Sequence, residues 1–214
     1  MASLPGCGSS TSTIVDAVKQ TISPPVADNA TLNPKYEYLR TTVGKNVALL
    51  VLGYTDAMPL AGTQVWYSGD KETIRLWQGR LAGTGGLSTD WRSVRFTDVP
   101  SWRSALRGGG SYRRQRDVMP NYTVDVREQI QIVPITAPTN SMLVNVKPHT
   151  LQWFEEQTTS EGQVPALPAA RFAVDLSSPV ERVVYSEQCL SAALCLTFQS
   201  WPATAASSSP TPPP

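Results

Sequence analysis

From residue 36 onward, apolar and polar positions alternate in short runs broken by Gly, Pro, Asn, Asp and Ser, the pattern of strands joined by turns. The clearest run covers 122–132. Tyr122, Val124, Val126, Ile130 and Ile132 share one face, interrupted only by Glu128, while Thr123, Asp125, Arg127, Gln129 and Gln131 share the other. A period of two held over this span predicts a half-buried antiparallel strand and fits no helix. Phe172, Val174 and Leu176 repeat the alternation, as does the segment 180–185. Val47 to Tyr54 is instead a continuous apolar run ending near Gly53, which predicts a strand covered on both faces. Thr63–Tyr67 and Thr73–Trp77 flank Ser68-Gly69-Asp70, a hairpin signature. Gly83-Thr84-Gly85-Gly86 reads as a turn, and Pro134, Pro138, Pro148, Pro165 and Pro168 punctuate the connections.

The two ends of the chain differ from this middle. Residues 8–13 are a polar spacer, and Ile14, Val15 and Val18 then recur at helical spacing, predicting a short amphipathic helix over 13–20. Pro24 and Pro25 are expected to stop it, with 26–34 as a loop. Residues 203–214, ending Ser-Ser-Ser-Pro-Thr-Pro-Pro-Pro, carry too little apolar surface to fold. The expected organisation is an N-terminal tether with the helix (1–34), one β-rich domain (35–202) and a Ser/Pro tail (203–214). The predicted fold class is mainly β, with antiparallel sheets forming a sandwich or a partly closed barrel and a short N-terminal helix.

Composition sharpens this picture. Charged residues make up only 16% of the chain, with Ser, Thr and Pro in their place, a balance that suits an extracytoplasmic β protein. Eighteen Lys and Arg oppose 17 Asp and Glu, so no net field draws the chain to nucleic acid or an anionic membrane surface. The longest apolar run, Val47 to Leu52, is far too short to cross a bilayer as a helix.

The three cysteines carry two expectations. Leu4-Pro5-Gly6-Cys7 is similar to a lipobox, in which Cys7 receives the lipid; Pro5 departs from the pattern, and the alternative is a free thiol in a terminal segment. The apolar stretch of a secretory signal does not precede it, so the expectation is that the sequence begins within such a signal. Cys189 and Cys195 flank a predicted strand-turn-strand, a spacing that allows a disulfide in an oxidising compartment; the alternative is two buried thiols.

Catalytic chemistry finds few residues to work with. His149, the only histidine, sits in the turn Lys147-Pro148-His149-Thr150, and no nucleophile elbow or phosphate-binding glycine loop is present. Glu155 and Glu156 are adjacent and point to opposite faces of a strand, as do Asp125 and Glu128, so neither pair supplies the two facing acids of a glycosidase. No metal site or cofactor is expected. Binding is better provided for. Six tryptophans offer flat apolar faces, and Trp77 shares a strand face with Thr73 and Arg75, so its exposure would mark a contact surface. Arg103, Arg107, Arg113, Arg114 and Arg116 cluster in sequence and are candidates for contact with an acidic partner or polysaccharide.

Several blocks in order resemble the YjbF/GfcB family of outer-membrane lipoproteins associated with exopolysaccharide and group 4 capsule secretion. They are Tyr36-Glu37-Tyr38-Leu39, Val47 to Gly53, Val65-Trp66-Tyr67-Ser68, Ile74 to Leu81, Thr84-Gly85-Gly86-Leu87, Arg171 to Asp175 and Tyr185-Ser186-Glu187-Gln188. The resemblance implies a periplasm-facing lipoprotein acting with other proteins of a polysaccharide export system, and it brings no catalytic residues. Gly8 and Ser9 after Cys7, with no Asp there, imply sorting to the outer membrane. Two functions are therefore expected in turn: a lipid-anchored accessory protein of export that works by contact, or a carbohydrate-binding module or glycan-acting enzyme.

Overall fold

The computed structural model describes residues 24–162 and 164–203. Cys7, the helix expected over 13–20 and nearly all of the 203–214 tail lie outside the described residues. The chain forms β1 (Tyr38–Val43), β2 (Asn46–Asp56), β3 (Thr63–Tyr67), β4 (Thr73–Trp77), β5 (Arg80–Gly85), β6 (Asp90–Thr97), β7 (Gly110–Met119), β8 (Thr123–Ile135), β9 (Gln152–Ser160), β10 (Ala170–Asp175), β11 (Arg182–Ser191) and β12 (Leu194–Trp201). Two short helices accompany them, α1 (Pro24–Asp28) and α2 (Trp102–Gly108).

The strand order is β5-β4-β3-β2-β1-β12-β11-β10-β9-β8-β7-β6. Every ladder is antiparallel, and each joins strands consecutive in sequence except the pair of β1 with β12. This is an up-and-down meander sealed at its ends and rolled until its edges, β5 and β6, stand side by side. The seam is laced by polar contacts: Thr84 Oγ1 donates to Asp90 at 2.9 Å, and the Trp91 N–H donates to Thr84 Oγ1 at 3.0 Å. The result is a nearly closed barrel, mainly β with few helices.

Alternation along the strands fills the inside. Leu39, Leu50, Trp66, Leu76, Leu81, Trp91 and Phe198 form one apolar cluster, and Trp102, Tyr112, Ile130, Ile132, Phe154 and Phe172 form a second. Outward residues of β9 to β11, among them Trp153, Ala173 and Tyr185, form a third, roofed by Leu143 and Val146 from the loop before β9. The outward positions of β7 and β8 are polar (Arg113, Gln115, Gln129, Gln131), the reverse of a lipid-facing barrel wall.

Several expectations change in detail. Pro24 opens a helix, because proline fits a first helical turn where its missing N–H has no partner to lose; whether it also ends the helix expected over 13–20 lies outside the described residues. Residues 26–28, expected as loop, belong to α1. Gly83-Thr84-Gly85 completes β5 instead of turning; Gly85 pairs with Thr73 so closely that a Cβ there would lie 2.8 Å from Thr73 Oγ1, and the turn falls after it. On β8, Tyr122 and Val124 are exposed at the hairpin tip, so the buried face begins at Val126 and includes Glu128. Val180 is exposed and β11 starts at Arg182.

Candidate functional site

Because the meander alternates strictly, β1 starts, β12 ends and the turns β2–β3, β4–β5 and β10–β11 all meet at one end of the barrel. There the wall encloses a cavity of about 750 Å³. Seven aromatic residues line it: Tyr36, Tyr38, Trp66, Trp77, Trp102, Phe198 and Trp201. Between them stand Gln64, Gln78, Ser186 and Ser200, with Glu37, Glu181 and Arg182 as the charged groups. Tyr36 is 55% exposed, whereas Trp66 and Trp102 are 4% and 2% exposed. The indole N–H groups of Trp66 and Trp102 are buried without a hydrogen-bond partner in the structure.

The rest of this end is plugged by α2. Ser101 caps it through its hydroxyl, which accepts from the Ser104 N–H. The Glu181 carboxylate, from the β10–β11 turn, accepts from the N–H groups of Trp102 and Arg103, both at 2.9 Å. A carboxylate on the free N–H groups of a first helical turn is favourable in charge and hydrogen bonding alike. Arg103 ties the same turn through the carbonyls of Leu176 and Ser178. Trp102 is thereby pressed inward against Phe154 and Phe172, with ring centroids 5.0 Å away in each case.

Behind Trp102 the interior is charged. Arg80, at the start of β5, donates from Nε to Glu156 Oε1 at 2.8 Å, and Tyr112 donates to Glu156 Oε2 at 2.8 Å. The Arg80 guanidinium lies 3.9 Å from the Trp102 ring centre and 5.2 Å from that of Tyr112, so π faces stand in for water around a cation whose outer nitrogens have no other partner. Burial raises the Tyr112 hydroxyl far above its ordinary value, and the Glu156 charge adds to this, which keeps it protonated as a donor. A second group lies beyond: Glu128 accepts from Arg114 Nε at 2.6 Å and from Arg116 Nη2 at 2.7 Å, and both guanidinium groups sit over Trp91. Burial, the largest single influence on the Glu128 carboxyl, pushes it up. The two arginines outweigh this and hold it below the ordinary range.

The candidate arginines therefore separate. Arg114 and Arg116 are turned inward and spent on Glu128, which removes them from any surface patch, because β7 alternates and its even-numbered positions face the core. Arg113 points outward and pairs with Asp98 at 2.7 Å, Arg103 holds α2, and Arg107 lies on a shallow depression with Arg103 and Leu176. Trp77 stands in the mouth, stacked on Phe96 at 5.3 Å, its Nε1 donating to the Ala61 carbonyl at 3.2 Å. At the opposite end, Cys189 and Cys195 face one another across β11 and β12 and are joined by a disulfide, Cα atoms 3.9 Å apart. His149 lies in a 3-10 turn outside the mouth, and among the described residues no cluster of His, Cys, Asp or Glu could hold a metal ion.

Sequence reasoning missed Arg80, Glu156, Tyr112 and α2. Glu128 carried a readable signal, being the one charged residue on the apolar face of β8. Arg80 carried a weaker one, as a charge directly after the Gln78-Gly79 turn.

No protein of curated function matches the sequence. Among solved structures, the hypothetical lipoprotein YmcC from Escherichia coli (K12) is similar in fold, with a TM-score of 0.61 at 15% identity over 87% of this chain and 92% of that one. Residues 12–199 match the family described as group 4 capsule polysaccharide lipoprotein GfcB, YjbF. With that match covering most of its length, the chain belongs to the YjbF family of group 4 capsule polysaccharide lipoproteins.

Proposed function

We propose that this protein is a lipid-anchored accessory component of exopolysaccharide or capsule export, held through Cys7 at the periplasmic face of the outer membrane and acting by contact rather than by catalysis. Family membership supports the link to capsule polysaccharide and to a lipid anchor. The observation that carries the contact reading is the makeup of the mouth. Its 750 Å³ cavity is walled by aromatic rings and amides, and its carboxylates are Glu37 and Glu181, the latter committed to the start of α2. General acid–base catalysis draws on a pair of groups beside the reacting atoms, and Glu37, exposed at the rim, is the one carboxylate of the lining not tied to α2, which favours contact. The partners are outer-membrane or periplasmic proteins of the same export system.

Deleting the gene tests the reading. Polymer at the cell surface should fall while its precursors continue to be made, and the mature protein should carry the mass of a diacylglyceryl group and an acyl chain on Cys7. A block in precursor synthesis, or an unmodified soluble product, would overturn it.

A further inference from the structure

We infer that the mouth is itself a glycan site, one that takes a neutral, hydroxyl-rich segment of a polysaccharide chain and not a polyanion. This deepens the export reading and rests on it for the identity of the polymer. Three observations converge. The cavity has the size of sites that enclose small ligands, roughly 300–1,000 Å³. Its rim presents the exposed ring of Tyr36 and the half-buried rings of Tyr38 and Trp77, against which the apolar C–H faces of sugar rings can pack, while Trp66, Trp102 and Trp201 form the buried wall behind them. Unspent polar groups lie among those faces. The side chains of Gln64, Gln78 and Ser200 reach the cavity and make no hydrogen bond among the described residues. Sugar hydroxyls both accept and donate, and so match a set that holds two amides and a hydroxyl.

Charge selects within the glycan class. Of the lining residues, Glu37 and Glu181 are negative and Arg182 is positive, and Arg182 is already paired with Asp175 at 3.2 Å. The arginines that could have drawn a polyanion are elsewhere: Arg114 and Arg116 face Glu128 inside the barrel, and Arg113 faces Asp98 outside it. Nothing in the mouth concentrates cationic charge.

The test uses the full chain with 15N-labelled tryptophan, titrated with short oligosaccharides cut by mild acid from the cell's own exported polymer, with polygalacturonate as the polyanion control. The indole N–H signal of Trp77 should shift saturably with the oligosaccharides and equally so in high salt, which screens charge and leaves ring stacking intact. Tyr36→Ala, at an exposed position that leaves the core untouched, and Trp77→Ala should each weaken binding by up to about tenfold. Three outcomes would overturn the inference: no response to the sugars, binding abolished by salt or shared with polygalacturonate, or a response only to a peptide of residues 204–214, which would give the mouth to a proline-rich ligand. Each leaves the export reading standing, because that reading is judged by polymer at the surface of deletion strains.

Discussion

Glu128 shows how a single side chain can organise a barrel interior. Its carboxylate lies between Arg114 and Arg116, and all three are buried. Such a group gains little net stability when whole, since desolvation offsets attraction, but removing one member leaves uncompensated buried charge. Glu128→Gln is expected to cost about 3–5 kcal/mol, read as a lowered urea midpoint. The same residue sets a pH response. Its folded carboxyl is held low, so the unfolded chain binds the proton first as pH falls. The stability it contributes is complete above about pH 4.3 and is lost as pH drops through the folded value. Asp175, held low first by hydrogen bonds from Ser177 and then by Arg182, acts with the same sign. Acid unfolding followed by tryptophan fluorescence should show this loss in the native protein. The Glu128→Gln variant, starting from lower stability, should show a shallower dependence.

Among the elements, the hairpins decide where the mouth lies. The β4–β5 turn places Gln78 and Gly79 at φ of 50° and 80°, and a Cβ on Gly79 would come within 2.5 Å of the Val183 side chain across the mouth. Gly79→Ala therefore combines backbone strain with a clash and should destabilise by about 1–3 kcal/mol in denaturant unfolding. The β11–β12 disulfide closes a short loop with a sequence separation of 6, so Cys195→Ser together with Cys189→Ser should cost about 2 kcal/mol under oxidising conditions. These local elements were also the legible ones. β3 and β4 run over Thr63–Tyr67 and Thr73–Trp77, the residues their alternation and intervening turn predict. The rest depended on partners far away in sequence. β7 carries charge on both faces, so no apolar stripe reveals that Arg114 and Arg116 turn inward; only the register with Glu128 and Val126 does that. α2 is seven residues long, too short for a helical period, and is held by Glu181 some eighty positions later.

For the whole molecule, closure matters most. Pairing of β1 with β12 turns an open meander into a nearly closed wall and brings Tyr38 opposite Trp201, so residues from both ends of the domain contribute rings to one cavity. That long-range step could not be read from local patterns, although the mainly β class and the family were. It also explains why the tryptophans divide: Trp91 and Trp153 are packed within the body, while Trp66, Trp77, Trp102 and Trp201 border the mouth. A barrel so built gathers these rings at one end, the end proposed above to act in export. The most direct measurement is complementation of a deletion strain with Tyr36→Ala/Trp77→Ala, quantifying polymer on the cell surface at matched levels of folded protein. The account predicts that this variant accumulates normally yet restores well under half of the surface polymer restored by the unaltered protein; full restoration would contradict it.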